Sequence, residues 1–188
     1  EDHCLYDLMH AQKLGELAGD VSLVISNHEN LKHVADHFNA PFAHVPINKA
    51  TRQEAEAAQR KLLDEHGIQL VVLARYMQIL SKEFADAWAG KAINIHHSFL
   101  PSFMGANPYR QAKERGVKII GATAHYVTPD LDEGPIIEQN VTRVTHRDSV
   151  ADMRRKGRDL ERQVLTHAVR LHLQNRIIIS GNRTIVFH

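Results

Sequence analysis

The sequence has a single cysteine, no long apolar run and no excess of charge of either sign, and each absence excludes a class of protein. Cys4 is alone among 188 residues, so no intrachain disulfide can form, and we expect a protein of the reducing cytoplasm. No apolar run reaches the roughly 18 residues that suggest a transmembrane helix. Lys and Arg number 23 against 22 for Asp and Glu, so no net field attracts nucleic acid or an anionic membrane. We therefore expect neither a nucleic-acid nor a membrane partner.

Several short motifs that carry known chemistry are also absent. Neither GxGxxG nor GxxxxGK occurs, which leaves phosphate-loop nucleotide binding unsupported. There is no HExxH and no paired-cysteine spacing, and a total of 14 histidines makes the mere presence of a histidine uninformative. We expect no metal site.

Short apolar runs alternate with amphipathic helical patterns along most of the chain. The predicted strands are 20–26, 42–47, 68–74 and the run that begins at 92, and the predicted helices are 5–18, 27–38, 51–66, 81–88, 107–115 and 149–174. This alternation favours parallel strands covered by helices. We predict an α/β fold in one domain over residues 1–188, with a Rossmann-like wound, mostly parallel sheet and helices on both faces.

The last third of the chain departs from this alternation. Two β-type runs, 117–128 and 134–144, are joined by a connection too short for a parallel crossover, so we expect them to pair antiparallel. Gly181 and Asn182 stand between two apolar runs and predict a β-hairpin. The sheet should therefore have an antiparallel part.

Polar residues alternate with apolar ones in the stretch AINIHHSFLPSF at 92–103. Side chains on a strand point to opposite faces in turn, so Asn94 and His96 should share one face while His97 points to the other. Pro101 ends the strand, which places the pair at its carboxyl end, where open α/β sheets bind ligands. The alternative is structural, because a polar pair at a strand end can simply cap backbone groups of the next loop.

A second polar group follows on the next β runs. His125 lies within the first of them, and Asp130 and Asp132 lie in the connection TPDLDEGP. Turns use such residues without any function, so each signal alone is weak. An amide, two imidazoles and two carboxylates brought to one sheet edge nevertheless favour a polar site. A metal is disfavoured there because adjacent histidines on a strand diverge.

The segment ARYMQIL at 74–80 follows the most continuous apolar strand. It can be the start of a helix with a packed face, or the wall of a pocket for a flat aromatic ligand. Sequence patterns alone leave both interpretations open.

These residues together resemble the family of formyltetrahydrofolate hydrolases and transferases. The shared signature is Asn-x-His followed by S-x-L-P, then a histidine about thirty residues on, then D-x-G-x-I. It appears here as Asn94, His96, Ser98, Leu100, Pro101, His125, Asp132, Gly134 and Ile136. The resemblance covers nearly the whole chain, and NIHHSFLPSFMGANPY is similar to the hydrolytic branch, whereas the transferase branch typically has proline in place of His97.

The resemblance implies hydrolysis of 10-formyltetrahydrofolate to tetrahydrofolate and formate, with the folate as a small-molecule substrate, no separate cofactor and a homo-oligomeric enzyme. The implied catalytic residues are Asn94, His96 and Asp132, with His125 and His97 in supporting roles. The implied substrate-binding residues are Arg75, Met77, Gln78, Ile79, Leu80 and Gly105.

Two features differ from the family pattern, and two other functions stay open. Met104 stands where the family commonly has a basic residue. Family members of the hydrolytic branch also carry a small N-terminal ACT-type domain and a first strand before the helix that opens this chain, so we expect a catalytic-domain fragment. The alternatives to hydrolysis are formyl transfer to an amine such as glycinamide ribonucleotide, and a non-catalytic folate-binding module.

Overall fold

The computed structural model describes residues 1–48, 50–101 and 107–187. Its helices are α1 His3–Lys13, α2 Lys32–His37, α3 Arg52–Glu65, α4 Lys82–Ala87, α5 Pro108–Arg115 and α6 Val150–Leu173. Its strands are β1 Val24–Ser26, β2 Phe42–His44, β3 Val71–Leu73, β4 Ala92–His96, β5 Ile119–Tyr126, β6 Ile136–Arg143, β7 Ile177–Ser180 and β8 Arg183–Val186. None of the helices within these ranges is long and apolar enough to cross a membrane.

The strands form the predicted mixed arrangement. β1 pairs with β2 and β3 pairs with β4, both in parallel, while β4, β5 and β6 pair antiparallel in that order. The β7–β8 hairpin turns at Gly181 and Asn182, as predicted. The α/β class and the antiparallel part of the sheet are therefore confirmed. The paired segments are shorter than the apolar runs, since β3 pairs over three residues of the run 68–74.

Helices cover both faces of the four-stranded sheet. Ile93 and Ile95 of β4 enter the main core, where α1, α5 and α6 pack on the sheet. Ala92 lies on the other face with Ala85 of α4 and Val127. Because side chains alternate along a strand, Asn94 and His96 are turned away from the main core.

Helix α6 is the longest element and holds the main core together. A capping box starts it, because Asp152 N–H donates to Ser149 Oγ at 3.1 Å and Ser149 N–H donates to Asp152 Oδ2 at 3.0 Å. Its buried stripe includes Met153, Leu160 and Val164, at the spacing of one helix face. Gly157 and Glu161 also lie in this stripe, although neither is a usual core residue.

Candidate active site

Strand β4 presents the amide and imidazole that the sequence analysis paired. Asn94 lies directly opposite His125 of β5 in the antiparallel register. The Nδ2 atom of Asn94 lies 3.2 Å from Nε2 of His125. Two strands therefore supply three polar side chains to one face, near the end of β4.

The loop between β5 and β6 brings Asp132 over these side chains. Asp132 adopts a left-handed backbone with φ of 58°, and Gly134 follows closely. A Cβ atom at Gly134 would lie 1.8 Å from the carbonyl oxygen of Tyr126, which is far inside contact distance. The absence of a side chain at Gly134 is thus what lets the loop fold back onto the end of β5.

The four side chains meet at the carboxylate of Asp132. Its Oδ2 lies 3.2 Å from Nδ1 of His96, and its Oδ1 accepts a long hydrogen bond of 3.5 Å from Nδ2 of Asn94. Nε2 of His125 lies 3.6 Å from the same Oδ1. The structure therefore brings Asn94, His96, His125 and Asp132 together, whereas Asp130 is exposed and outside this group.

These contacts fix the charge of Asp132 and the orientation of the His125 ring. Hydrogen bonds with His125 and His96 hold the pKa of the Asp132 carboxyl well below its usual range, so the group is ionised at neutral pH. Nδ1 of His125 lies 2.9 Å from the carbonyl oxygen of Tyr126, which only an N–H can satisfy. Nε2 of His125 is thus the ring atom that faces the site, 3.2 Å from the Asn94 amide and 3.6 Å from Asp132 Oδ1.

One atom of this group has no partner. Nε2 of His96 is buried and makes no hydrogen bond within the part of the chain that the structure describes. Its ring partner Nδ1 is the nitrogen that faces Asp132, so Nε2 is on the far side of the ring. A buried polar atom without a partner is costly, and at an active site it is a position where a ligand atom completes the bonding.

His97 does not diverge from His96 as the strand pattern suggested. The two rings stack with centroids 5.1 Å apart and planes 27° apart. Regular pairing ends at His96, so the strand alternation no longer applies to the next residue. Burial first, and then the charges of Arg75 and His96, lower the pKa of His97 to about 4. His97 is therefore neutral at neutral pH.

The segment 75–80 is an irregular loop and not the start of a helix, since α4 begins only at Lys82. Met77 and Ile79 are 70% and 57% exposed, which is unusual for two apolar side chains close together. Gln78 is half-buried between them, and Leu80 packs with Trp88 beside α4. Gly105 and Met104 lie outside the described residues.

Helix α3 holds this loop through polar side chains, of which Glu56 and Gln59 are buried. The Ser81 N–H donates to Glu56 Oε2 at 2.9 Å, and the Ser81 hydroxyl donates to the same carboxylate. Gln59 Nε2 donates to the Tyr76 hydroxyl at 3.0 Å, and Arg52 donates to the carbonyl of Ile79. The loop conformation is thus fixed at three points along one helix face.

Arg75 lies in a cavity of about 220 Å³ that Met77 also lines, beside His97 and Tyr109. Its Nη1 lies 3.6 Å from Glu161 Oε2, and its Nε lies 3.2 Å from Glu1 Oε2. The sequence analysis had not singled out Glu161, whose side chain is 1% exposed. The available signal was its position in the apolar stripe of α6.

The group His3, Cys4 and Glu161 is the single set of potential metal ligands among the described residues, with ligand atoms within 4.8 Å of one another. Its chemistry does not favour a metal. His3 Nε2 lies 2.9 Å from Glu161 Oε2, and the Tyr109 hydroxyl donates to Glu161 Oε1 at 2.9 Å, so the carboxylate is already paired. Burial raises the pKa of the Cys4 thiol above its usual range, which disfavours the thiolate that metals require.

Comparison with known proteins gives the class of this fold and site. Residues 1–169 match the formyl transferase family, and the chain belongs to it. A formyltetrahydrofolate deformylase of Synechocystis is 58% identical over 187 residues, which are 100% of this chain and 66% of that protein. The crystal structure of a formyltetrahydrofolate deformylase from Pseudomonas syringae has a TM-score of 0.97 at 50% identity, covering 100% of this chain and 63% of that one.

A solved transferase structure is similar to this chain at lower sequence identity. Glycinamide ribonucleotide transformylase 1 from Symbiobacterium toebii has a TM-score of 0.92 at 33% identity, covering 99% of this chain and 89% of that one. The chain spans 60 to 66% of the length of the first curated relatives, which are all named formyltetrahydrofolate deformylase.

Proposed function

We propose that this chain is the catalytic part of an enzyme that hydrolyses 10-formyltetrahydrofolate to tetrahydrofolate and formate, without a separate cofactor. The observation that carries the proposal is the meeting of Asn94, His96 and Asp132 at one sheet edge, with Nε2 of His96 buried and unpartnered among the described residues. The similarity over the full chain to proteins named deformylases supports the same reaction.

The chemistry follows from the charges of the three side chains. Water adds its oxygen to the formyl carbon, and the carbonyl oxygen takes up negative charge in the transition state. The Asn94 amide and the Nε2 proton of a cationic His96 are suitable donors to that oxygen. Ionised Asp132 keeps the imidazolium oriented and accepts a proton from the attacking water.

The intermediate then divides into the two products. The bond between the formyl carbon and N10 breaks, N10 takes a proton, and formate leaves as the anion. Neutral His97, stacked on His96, can accept a hydrogen bond from the water without adding a second positive charge. His125 supports the carboxylate through Oδ1.

The loop 75–80 is proposed as the pterin site. Met77 and Ile79 offer exposed apolar contacts, and the backbone around them offers polar groups for the edge of a flat ring. Gln78 and Leu80 flank these contacts, and Arg75 contributes from the cavity beside His97.

The competing reaction is formyl transfer to an amine. The similarity to a glycinamide ribonucleotide transformylase supports this alternative. The test is formate release from 10-formyltetrahydrofolate by the purified full-length protein with no amine added. We expect steady formate production, and the Asn94→Ala variant should lose about a hundredfold in rate. No formate without an amine, and a formylated amine when one is supplied, would contradict hydrolysis.

A non-catalytic folate-binding module would bind the substrate and release nothing. Equilibrium binding measured beside formate release distinguishes it, because binding without turnover in the folded protein would support the module. The homo-oligomer and the cytoplasmic location stay predictions, which light scattering on the purified protein and cell fractionation would test.

A further inference from the structure

A buried carboxylate lies behind His97 and is not needed by the proposed chemistry. Glu161 on α6 accepts from the Tyr109 hydroxyl at 2.9 Å and faces His3 at 2.9 Å and Arg75 at 3.6 Å. Burial alone would raise the pKa of Glu161, but the hydrogen bond from His3 and the charge of Arg75 lower it instead. Keeping an ionised carboxylate in the core is costly, so its partners must be held accurately.

Tyr109 is confined on two sides by this arrangement. Its hydroxyl is tethered to Glu161, and on the α6 side a Cβ atom at Gly157 would lie 1.9 Å from that oxygen. Any side chain at Gly157 would therefore displace the ring. Gly157 thus leaves the space on α6 that the hydroxyl end of the tyrosine ring occupies.

The remaining face of Tyr109 is turned to the site. Its ring centroid lies 6.1 Å from that of His97, whose other neighbour is the His96 ring at 5.1 Å. His97 is thus enclosed between the catalytic imidazole and a tyrosine whose position α6 determines.

We propose that Tyr109 is a positioning residue for the hydrolysis proposed above: fixed by Glu161 and by the space at Gly157, it holds the His97 imidazole against His96. This inference rests on the proposed function only for its catalytic consequence. The structural part concerns the environment of His97 and can be tested without turnover.

The consequence is the protonation state of His97. Burial is the largest cause of the low pKa of His97, and Arg75 and His96 lower the pKa further. The Tyr109 ring, 6.1 Å from the His97 ring, is one of the groups packed against it. Glu161 and Asp132 act in the opposite direction, and Glu1, Arg110 and Arg154 line the adjacent cavity. Without the tyrosine ring, water reaches His97 and its pKa should return toward the ordinary value near 6.5.

The experiment is a pH titration of His97 by NMR in the parent and in Tyr109→Leu, with the signal assigned by its loss in His97→Gln. We expect no titration of His97 above about pH 5 in the parent, in line with its pKa of about 4. In Tyr109→Leu the pKa should rise toward 6.5, so that about three quarters of His97 is protonated at pH 6. Hydrolysis at pH 6 relative to pH 8 should then be about fourfold lower than in the parent, with KM for the folate unchanged.

A second variant and a matched control keep the inference testable if Tyr109→Leu does not fold. Tyr109→Phe removes only the tether to Glu161 and should raise the pKa of His97 by a smaller amount. Tyr126→Phe removes another buried hydroxyl, 2.8 Å from Nδ1 of His172, and should leave the His97 titration unchanged.

An unchanged pKa of His97 in both folded Tyr109 variants would overturn the inference, and so would a raised pKa with an unchanged pH profile. Absence of hydrolysis in the parent would instead overturn the proposed function and leave the NMR result to decide the environment of His97.

Discussion

Nδ1 of His96 and Oδ2 of Asp132 lie 3.2 Å apart, although one comes from a strand and the other from the loop between the next two strands. Strand β4 positions the imidazole of His96, and the loop between β5 and β6 positions the carboxylate of Asp132. The contact between them therefore depends on how this loop folds. Ionised Asp132 faces Nδ1 of His96, and Nε2 on the other side of the ring has no partner among the described residues. A change in the backbone of this loop should therefore change the contact between Asp132 and His96.

Gly134→Ala should damage both stability and activity. The added Cβ would meet the Tyr126 carbonyl at 1.8 Å, so the loop must move and take Asp132 with it. We expect a loss of at least about 3 kcal/mol in the free energy of unfolding, measured in urea, and a loss of formate release in the protein that remains folded.

The matched control is Gly15→Ala, where the backbone is left-handed with φ of 72° but no atom lies within 4 Å of the new Cβ. That change should cost about 1 to 2 kcal/mol from backbone strain and leave activity unchanged. Equal effects of the two substitutions would show that Gly134 has no special role in carrying Asp132.

Glu56→Gln should weaken folate binding more than catalysis. Burial alone would raise the pKa of Glu56, but hydrogen bonds from Ser81 and Arg60 lower it, so the carboxylate is charged where it holds the loop that ends at Ser81. With the charge removed, we expect KM for the folate to rise several-fold while kcat changes little. Steady-state kinetics of Glu56→Gln beside Glu54→Gln, an exposed glutamate on the same helix, measure this difference. A fall in kcat at unchanged KM would contradict a role limited to holding the loop.

Asp132 should make stability depend on pH in acid. Its pKa in the folded state is depressed, so the unfolded state binds a proton first as the pH falls. The stabilisation is fully present above the unfolded pKa of about 4 and is lost as the pH falls through the lower folded value. The difference in unfolding free energy between the parent and Asp132→Asn should shrink as the pH falls below about 4. A difference that grows in acid would show that the carboxylate is not held ionised.

The polar residues of the site were predictable because simple periodicities govern them. Asn94 and His96 follow from the alternation along a strand, and Asp132 follows from a turn that the short connection requires. The direction of His97 was predicted wrongly: we expected it on the face opposite His96, but β4 ends at His96 and the two rings stack. Glu161 could not be recognised as a partner of Tyr109, since a carboxylate on a helix is normally solvated and the packing of α1 and α5 on α6 buries this one.

The most direct test of the central claim is hydrolysis by Asp132→Asn measured beside equilibrium folate binding, both on the full-length protein. The substitution keeps the shape of the side chain and removes the charge that faces Nδ1 of His96. We predict a loss of several powers of ten in formate release with folate affinity nearly intact, because the charge acts mainly on the transition state. Retained hydrolysis would contradict the account and assign the base to Asp130 or a histidine, and lost binding would show that Asp132 shapes the pocket and not the chemistry.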